Sequence, residues 1–173
     1  MKLPCKAEKT LKKVCAKKGD ARYFIQNPHL DAEKKILWAT NGHILSRVPV
    51  ETSDTDTTGY ISLEAIKYAA AVSKATKSAS EISANGGLDI GGTSFERPEH
   101  TFPAVDQIYD ETVAKEPVVT ISFNAQLLHD LAASLSECGK AGKVTLNING
   151  PKEAILVTSL DSKEATGLLM PTR

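Results

Sequence analysis

The sequence is poor in cysteine and in aromatic residues, and it has no long run of apolar residues. Its three cysteines, Cys5, Cys15 and Cys138, have neither the spacing of metal ligands nor the even number of a disulfide framework. No stretch is apolar enough to cross a bilayer, and the first residues lack the apolar core of a signal peptide. We therefore expect a reduced, cytoplasmic protein that does not bind a membrane.

Signatures of catalysis are also missing. Gly86-Gly87 and Gly91-Gly92 flank a short strand instead of opening a helix, so the sequence has no phosphate-binding loop of the Walker type. The four histidines show no zinc-binding spacing. Cys15 falls on an apolar helix face, where a buried, inert thiol is more common than a nucleophile. The sequence predicts a protein that is not an enzyme and needs no metal or cofactor.

The net charge is zero, but the charge is distributed unevenly along the chain. Residues 1–22 hold eight basic and two acidic side chains, a charge of +6 that the rest of the chain balances. A basic segment of this kind is typical of a surface that binds a polyanion. The alternative is a helix whose charged face is simply solvated.

One order of elements, β-α-β-β-β, recurs at a period of about 60 residues. In the first copy, a short strand at 2–5 precedes a helix of roughly 7–18 that Gly19 ends. Asn41-Gly42 is a strong hairpin signal between two of the strands that follow. The three strand-like runs are 21–27, 35–40 and 43–50.

The second and third copies follow a polar surface loop at 51–59 and align at Ile61-Ser62-Leu63 against Ile121-Ser122-Phe123. The second copy has a strand at 59–62, a helix at 63–75 and strands at 80–85, 87–92 and 93–96. The third has a strand at 118–122, a helix at 124–135 and strands at 143–149, 153–159 and 165–171. The apolar face of its helix consists of Leu127, Leu128, Leu131 and Leu135.

These repeats predict an α+β protein with helices on one side of antiparallel sheets. We expect a first domain at 1–110 that contains two halves, 1–50 and 59–96, and a further half at 117–173. Three prolines within 97–117 predict an extended connector there.

Four segments of the sequence carry a family resemblance. They are the hairpin TNGHIL at 40–45, the connector TFPAVD at 101–106, the strand-to-helix entry ISFN at 121–124 and the ending LLMPTR at 168–173. In this order they resemble motifs of the bacterial beta sliding clamp family, the beta subunit of DNA polymerase III. The hairpin has asparagine and isoleucine where the family usually has aspartate and arginine.

The resemblance implies the DNA clamp fold, which is built from paired β-α-β-β-β halves, in a shortened relative of host or phage origin. Family chains have six halves and close as a two-chain ring. This chain has three, so a ring of the same size would need four copies. An open assembly is equally compatible, and in either case we expect a homo-oligomer.

In the family, the hairpin, the connector and the C-terminal strand line an apolar cleft that receives short peptides of replication partners. Carried over, this peptide cleft consists of Thr40, Gly42, His43, Leu45, Pro103, Ile108, Leu168, Leu169, Met170, Pro171 and Arg173. Flexible Met170 suits varied peptide side chains. Asn-Gly also occurs in any tight hairpin, and an LLMP strand is more often core than cleft.

The resemblance further implies that basic helices contact the phosphates of duplex DNA without reading bases. The lysines in question are Lys6, Lys9, Lys13 and Lys17 on the first helix and Lys67 and Lys74 on the second. No aromatic residues interleave with them, so stacking on single-stranded bases is not expected. The third helix carries Asp130 and no lysine, unlike the other two.

The predicted function is that of a processivity factor in DNA replication, which binds duplex DNA and short peptides of a polymerase or another replication protein. A second interpretation remains open. A clamp-fold module that binds peptides or regulates replication without encircling DNA would keep the cleft, but it would need neither the lysines nor ring closure.

Overall fold

The computed structural model describes residues 1–3, 7–136, 142–162 and 164–172. The chain divides into two compact units, Met1–Val105 and Asp106–Arg173. The first contains β1 (Lys2–Leu3), α1 (Ala7–Val14), a 3-10 helix (Tyr23–Ile25), β2 (His29–Asp31), β3 (Ile36–Thr40), β4 (Leu45–Pro49), β5 (Gly59–Tyr60), α2 (Leu63–Thr76), β6 (Ser80–Glu81), β7 (Leu88–Ile90) and β8 (Thr93–Phe95). α3 (Val105–Val113) begins at the boundary, and the second unit continues with α4 (Ala125–Ser136), β9 (Val144–Asn147), β10 (Ile155–Ser159) and β11 (Thr166–Leu169).

The first unit consists of two halves that exchange their first strands. The first half is β1, α1, β2, β3 and β4, and the second is β5, α2, β6, β7 and β8. β5 pairs with β2 of the first half, which gives the strand order β4-β3-β2-β5. β1 pairs in return with β6 of the second half, and a bridge between Ser83 and Asp89 connects β6 to β7. All pairs are antiparallel, so each half completes the sheet of the other.

Each exchanged strand is also tied to the end of its own half. The amide of Lys2, in β1, donates to the carbonyl of Glu51 just after β4 (2.7 Å). The Arg97 Nε atom, just after β8, donates to the carbonyl of Tyr60 in β5 (3.0 Å). β1 and β5 therefore have equivalent positions. One edge of each strand is bonded to its own half, and the other edge pairs with the partner half.

One apolar core serves both halves. α1 and α2 pack against each other, and each contacts strands of the unit. Leu11 and Ile66 on these helices are fully buried, as are Leu30 and Leu88 on the strands. Burial of one such side chain contributes roughly 1.5–3 kcal/mol. Because this core joins both halves, neither half holds a complete core of its own.

α2 has clear boundaries in the sequence. Ser62 caps its N-terminus, where the hydroxyl accepts a hydrogen bond from the Ala65 amide (3.1 Å). The interior is rich in alanine, the strongest helix former. Lys77 ends the helix in the left-handed conformation at φ 54°. The prediction of this helix is confirmed.

α1 ends earlier than the sequence predicts, at Val14 rather than near Lys18. The amide of Ala16 donates to the carbonyl of Ile25 (2.9 Å) instead of continuing the helical ladder. Lys17 therefore lies beyond the helix, and the expected fourth lysine of its basic face is not helical. Lys6 lies outside the described residues.

Two further predictions of secondary structure are wrong. The run 21–27 contains a 3-10 helix, and the strand that pairs with β3 lies farther along, at β2. The connector 97–117 is not extended throughout, because α3 forms within it. The three prolines of the connector lie outside α3. Within α3, the side-chain amide of Gln107 donates to the Glu111 carboxylate one turn later (2.8 Å), and a side-chain pair at this spacing stabilises a helix.

In the second unit, α4 packs on a sheet of order β11-β10-β9. Its core contains Leu135, Ile155, Val157 and Leu169. The segment 118–122 does not form the predicted strand within this chain. Leu127 is 55% exposed, so it does not share the buried face of the helix as expected. In the described part of the chain, no helix is long and apolar enough to span a membrane.

Candidate functional site

The hairpin at 40–45 is held by side-chain hydrogen bonds within its loop. The hydroxyl of Thr40 donates to the Ile44 carbonyl (2.7 Å) and accepts from the Gly42 amide (3.0 Å). The Asn41 side-chain oxygen accepts from the amides of His43 (2.9 Å) and Ile44 (3.1 Å). Local bonds of this kind are what make asparagine and threonine favourable in turns. The loop is longer than the two-residue turn that Asn-Gly suggests.

Two residues that the sequence did not single out lie against this hairpin. A Cβ atom added to Gly42 would lie 2.5 Å from Arg22 Nη1 and 3.9 Å from Ile25 Cδ1. Arg22 is fixed by Asp20, whose carboxylate accepts from Nε (3.1 Å) and Nη2 (3.0 Å). These hydrogen bonds from Arg22 lower the pKa of Asp20 to about 2. Gly42, at φ 85°, leaves room for the guanidinium.

The hairpin presents an open surface with apolar side chains. Leu45 and Ile44 are 36% and 50% exposed, and His43 is also exposed. Thr40 is buried and has the structural role described above. Exposed apolar side chains next to a fixed guanidinium suit a peptide that is apolar in part and carries a carbonyl or carboxylate group.

A cluster of rings anchors the segment that contains Pro103. Phe102 stacks on His29 with ring centroids 4.7 Å apart, and Tyr60 meets Phe102 edge-on at 5.8 Å. The Tyr60 hydroxyl donates to the Phe24 carbonyl (2.7 Å), and burial raises its pKa to about 12. Phe102 therefore fixes this segment against β2 and β5, and Pro103 follows it half-buried.

The other predicted cleft residues belong to the second unit. Ile108 on α3 is 64% exposed, and Leu168 and Met170 at the end of β11 are 66% and 63% exposed. Leu169 points the opposite way into the core, as alternation along a strand requires. Pro171 is half-buried, and Arg173 lies outside the described residues.

Four of the lysines that were predicted to contact DNA lie on the solvent-exposed sides of α1 and α2, two helices that contact each other. Lys9 and Lys13 on α1 and Lys67 and Lys74 on α2 are exposed, and none of them forms an ion pair with another described residue. We call these four residues the lysine face. Exposed ammonium groups that form no ion pair among the described residues are available to bind phosphates. Lys17, beyond the end of α1, is exposed as well.

A cleft of about 1220 Å³ lies elsewhere in the first unit, between the start of α2 and residues 95–100. None of the predicted cleft residues lines it. Arg97 lies in its wall and donates to the carbonyl (2.6 Å) and hydroxyl (2.7 Å) of Thr57, besides its bond to Tyr60. Arg97 is therefore committed to internal contacts, and burial lowers its pKa.

The histidine, cysteine and acidic side chains of the described residues bear on whether a metal or a reactive thiol is present. Among the described residues, no three histidine, cysteine, aspartate or glutamate side chains are placed to hold a metal ion. Cys15 is 3% exposed, and burial raises the pKa of its thiol to about 12. A thiol of this kind remains protonated and unreactive near neutral pH.

The arrangement of paired halves defines the class of fold, and a comparison with solved structures gives the same result. The chain is similar to the crystal structure of the DNA polymerase III beta chain from Streptococcus pneumoniae TIGR4, with a TM-score of 0.66 and 20% identity. The match covers 96% of this chain and 48% of that one, so this chain spans about half its length. No family model matches the sequence, and a search of curated proteins found no match to it.

The prediction of an α+β DNA clamp fold with antiparallel sheets is confirmed. The likeness in sequence is too low to show more than the fold. The beta sliding clamp family therefore remains the resemblance that the four motifs carry, and the roles of the individual residues remain predictions.

Proposed function

We propose that this protein is a non-enzymatic clamp-type factor that contacts duplex DNA through the lysine face and binds short peptides of replication proteins at the hairpin and the end of β11. The observation that carries the proposal is the clamp fold, with exposed lysines on the two helices of its first unit. The proposed DNA contact is electrostatic and independent of sequence, because lysine is a flexible point charge.

The test of DNA binding compares two variants of equal charge. In the first, the lysine face is replaced by alanine. In the second, alanine replaces four exposed lysines elsewhere, Lys34, Lys115, Lys143 and Lys152. Affinity for a fluorescent duplex is measured by anisotropy between about 50 and 200 mM salt, where each phosphate contact contributes a slope of about 0.9 in log affinity against log salt.

We expect the lysine-face variant to bind more weakly and to lose up to about 3–4 units of salt slope, while the control changes little. Equal weakening of both variants would show that only net charge matters. If the unaltered protein binds no duplex, the DNA part of the proposal is wrong. The interpretation as a peptide-binding or regulatory module that does not encircle DNA would then be preferred.

Peptide binding is tested with a fluorescent peptide that carries the glutamine-and-leucine motif of clamp partners. Met170→Ala removes an exposed side chain, so it should leave the fold intact. We expect about tenfold weaker binding, because a methionine that is covered by peptide contributes roughly 1.5 kcal/mol. Leu160→Ala, at 58% exposure in the same unit, is the control. Unchanged affinity in Met170→Ala would contradict the proposed site.

A further inference from the structure

The second unit contains one half where the first unit contains two. Its α4, β9, β10 and β11 correspond in order to α2, β6, β7 and β8. The chain before it, 97–117, contains α3 and no strand. Among its described residues, the sheet β11-β10-β9 has no second sheet opposite, whereas the first unit closes two halves around one core.

The segment that precedes α4 is held as its counterparts are. The Thr172 amide, just after β11, donates to the carbonyl of Ser122 (2.8 Å). β1 and β5 have the equivalent ties to the ends of their own halves, and each pairs on its other edge with the partner half. Residues 120–122 have the hydrogen bond to the end of their own half. Among the described residues, however, no strand pairs with their other edge.

The strand that should receive a partner is present in the same unit. β9 corresponds to β2 and β6, and in the described part of the chain it pairs with β10 alone. The carbonyl of Lys143 accepts from the Leu160 amide (3.0 Å), so the alternation of an antiparallel pair turns the amides of Val144 and Leu146 to the opposite, open edge. This edge is a template for another strand.

The side chains beside this edge are apolar and exposed. In the first unit, Leu30 lies opposite Leu37, and neither is exposed to solvent. In the second unit, Leu146 lies opposite Val157 in the corresponding pair. Val157 is fully buried, but Leu146 is 38% exposed. Since the two side chains of such a pair point to the same face, Leu146 borders the core without being covered.

The helix shows the same difference. The Asn124 side chain caps α4 by accepting from the Gln126 amide (2.9 Å), so Asn124 corresponds to Ser62, the cap of α2. Counted from these caps, Leu127 corresponds to Ala65. Ala65 is fully buried in the core that both halves of the first unit share, whereas Leu127 is 55% exposed. The exposed surface of α4 therefore corresponds to one that lies in the shared core of the first unit.

We propose that two copies of this chain complete each other's second unit. Residues 120–122 of each copy pair with β9 of the other, and the two α4 helices pack as α1 and α2 do, which covers Leu127 and Leu146. A second copy is the occupant that the structure favours, because the exchange in the first unit is reciprocal between equivalent halves. If the two copies are related by a two-fold axis, each half gives its first strand to the other and receives the equivalent strand in return.

This pairing is independent of DNA and of the peptide cleft, so it stands or falls separately from the proposed function. The first measurement is the solution mass of the whole chain by sedimentation equilibrium, for which one copy weighs 18.5 kDa. We expect a species of at least two copies at micromolar concentration. A monomer would overturn the proposal.

A pair of variants tests which surface is used. Leu146→Lys places a charge on the proposed interface, and Leu156→Lys places it on the neighbouring strand, where the side chain is 37% exposed on the opposite face. We expect at least a tenfold weaker association for Leu146→Lys and no change for the control. If circular dichroism shows that Leu146→Lys is unfolded, Leu127→Lys takes its place. Equal association in both variants would refute the interface.

A designed disulfide tests the register. Tyr60 lies opposite His29, and the corresponding residues across the proposed pair are Ser122 and Thr145. Within one chain they cannot join. Ser122 is tied beyond β11, so β9 lies three strand spacings away, about 14 Å, against about 7 Å for the longest disulfide.

The variant Ser122→Cys/Thr145→Cys is therefore expected to form a covalent dimer on mild oxidation, in a background with Cys5→Ser and Cys138→Ser. Each single cysteine variant is the control and should form none. If the double variant is no more cross-linked than the single variants, strand exchange between copies is excluded.

Discussion

A buried carboxylate in the first unit offers a sharp test of what holds the two halves together. Asp56 accepts from the α-amino group of Met1 (2.7 Å) and from the amides of Ser53 (2.7 Å) and Ala84 (2.9 Å). Neither group of the ion pair is accessible to solvent. Removal of one partner of a buried pair costs about 3–5 kcal/mol, because the other charge is left without compensation.

We therefore expect Asp56→Asn to lower the free energy of unfolding of the first unit by about 3 kcal/mol. Urea unfolding can be followed by the fluorescence of Trp38, which is the only tryptophan and is 2% exposed in β3. Asp54→Asn, in the same loop but exposed, should change the free energy by less than about 0.5 kcal/mol. Similar values for the two variants would refute the role of the buried pair.

The same pair predicts a dependence on pH. Burial by itself raises the pKa of Asp56, but hydrogen bonds from Met1, Ser53 and Ala84 outweigh it and lower the pKa to about 2. A carboxyl whose pKa is lower in the folded state stabilises it above the ordinary value near 4, and this contribution is lost as the pH falls towards 2. The difference in free energy of unfolding between the wild type and Asp56→Asn should therefore become smaller as the pH falls from about 4 to about 2. A constant difference would contradict the assignment.

Three further substitutions or modifications have definite expected outcomes. Arg97→Ala should destabilise the first unit by about 2–3 kcal/mol in the Trp38 assay, because the carbonyls that Arg97 bridges lose their donor; a loss under 0.5 kcal/mol would be inconsistent with this role. Gly167→Ala places a Cβ atom 2.5 Å from Leu131 Cδ1, so faster hydrogen exchange in β10 and β11 is expected, and unchanged protection would show that Leu131 adapts without cost. Cys15 should react with a thiol reagent only in denaturant, and rapid labelling of the native protein at this residue would disprove its burial.

Much of the fold could be predicted where local and long-range signals agree. The ladder β3–β4 follows from β-branched and aromatic residues on either side of a turn that asparagine and glycine favour. α2 and α4 follow from their apolar faces and from the caps Ser62 and Asn124. In the third repeat, however, the cap is Asn124, two residues beyond Ser122, the residue that the sequence alignment matches to Ser62.

The failures have a common physical cause, which is that distant partners decide the backbone. α1 ends because the Ala16 amide bonds to Ile25 rather than to the helix. The segment 118–122 has the composition of a strand, but a strand needs a neighbour, and the described part of the chain supplies none. No local pattern in the sequence contains this information.

The candidate site shows the same limit. The motif at 40–45 marked the hairpin, but the neighbouring Arg22 and Ile25 follow only from the fold, because they are distant in sequence. In the sequence, the signal available for this segment was an arginine followed by two aromatic residues, at 22–24. Alternation along β11 could have distinguished exposed Leu168 from buried Leu169 once the register of the strand was known.

The exchange of first strands also constrains how the chain reaches its native state. The amino group of Met1 bonds to the carbonyl of Ile82, 81 residues away along the chain. β1 therefore has no sheet partner to pair with until β6, far along the chain, is available. Long closures of this kind slow folding, because chain entropy is lost before the contacts that compensate for it can form. In this fold, β1 is therefore among the last strands to be secured.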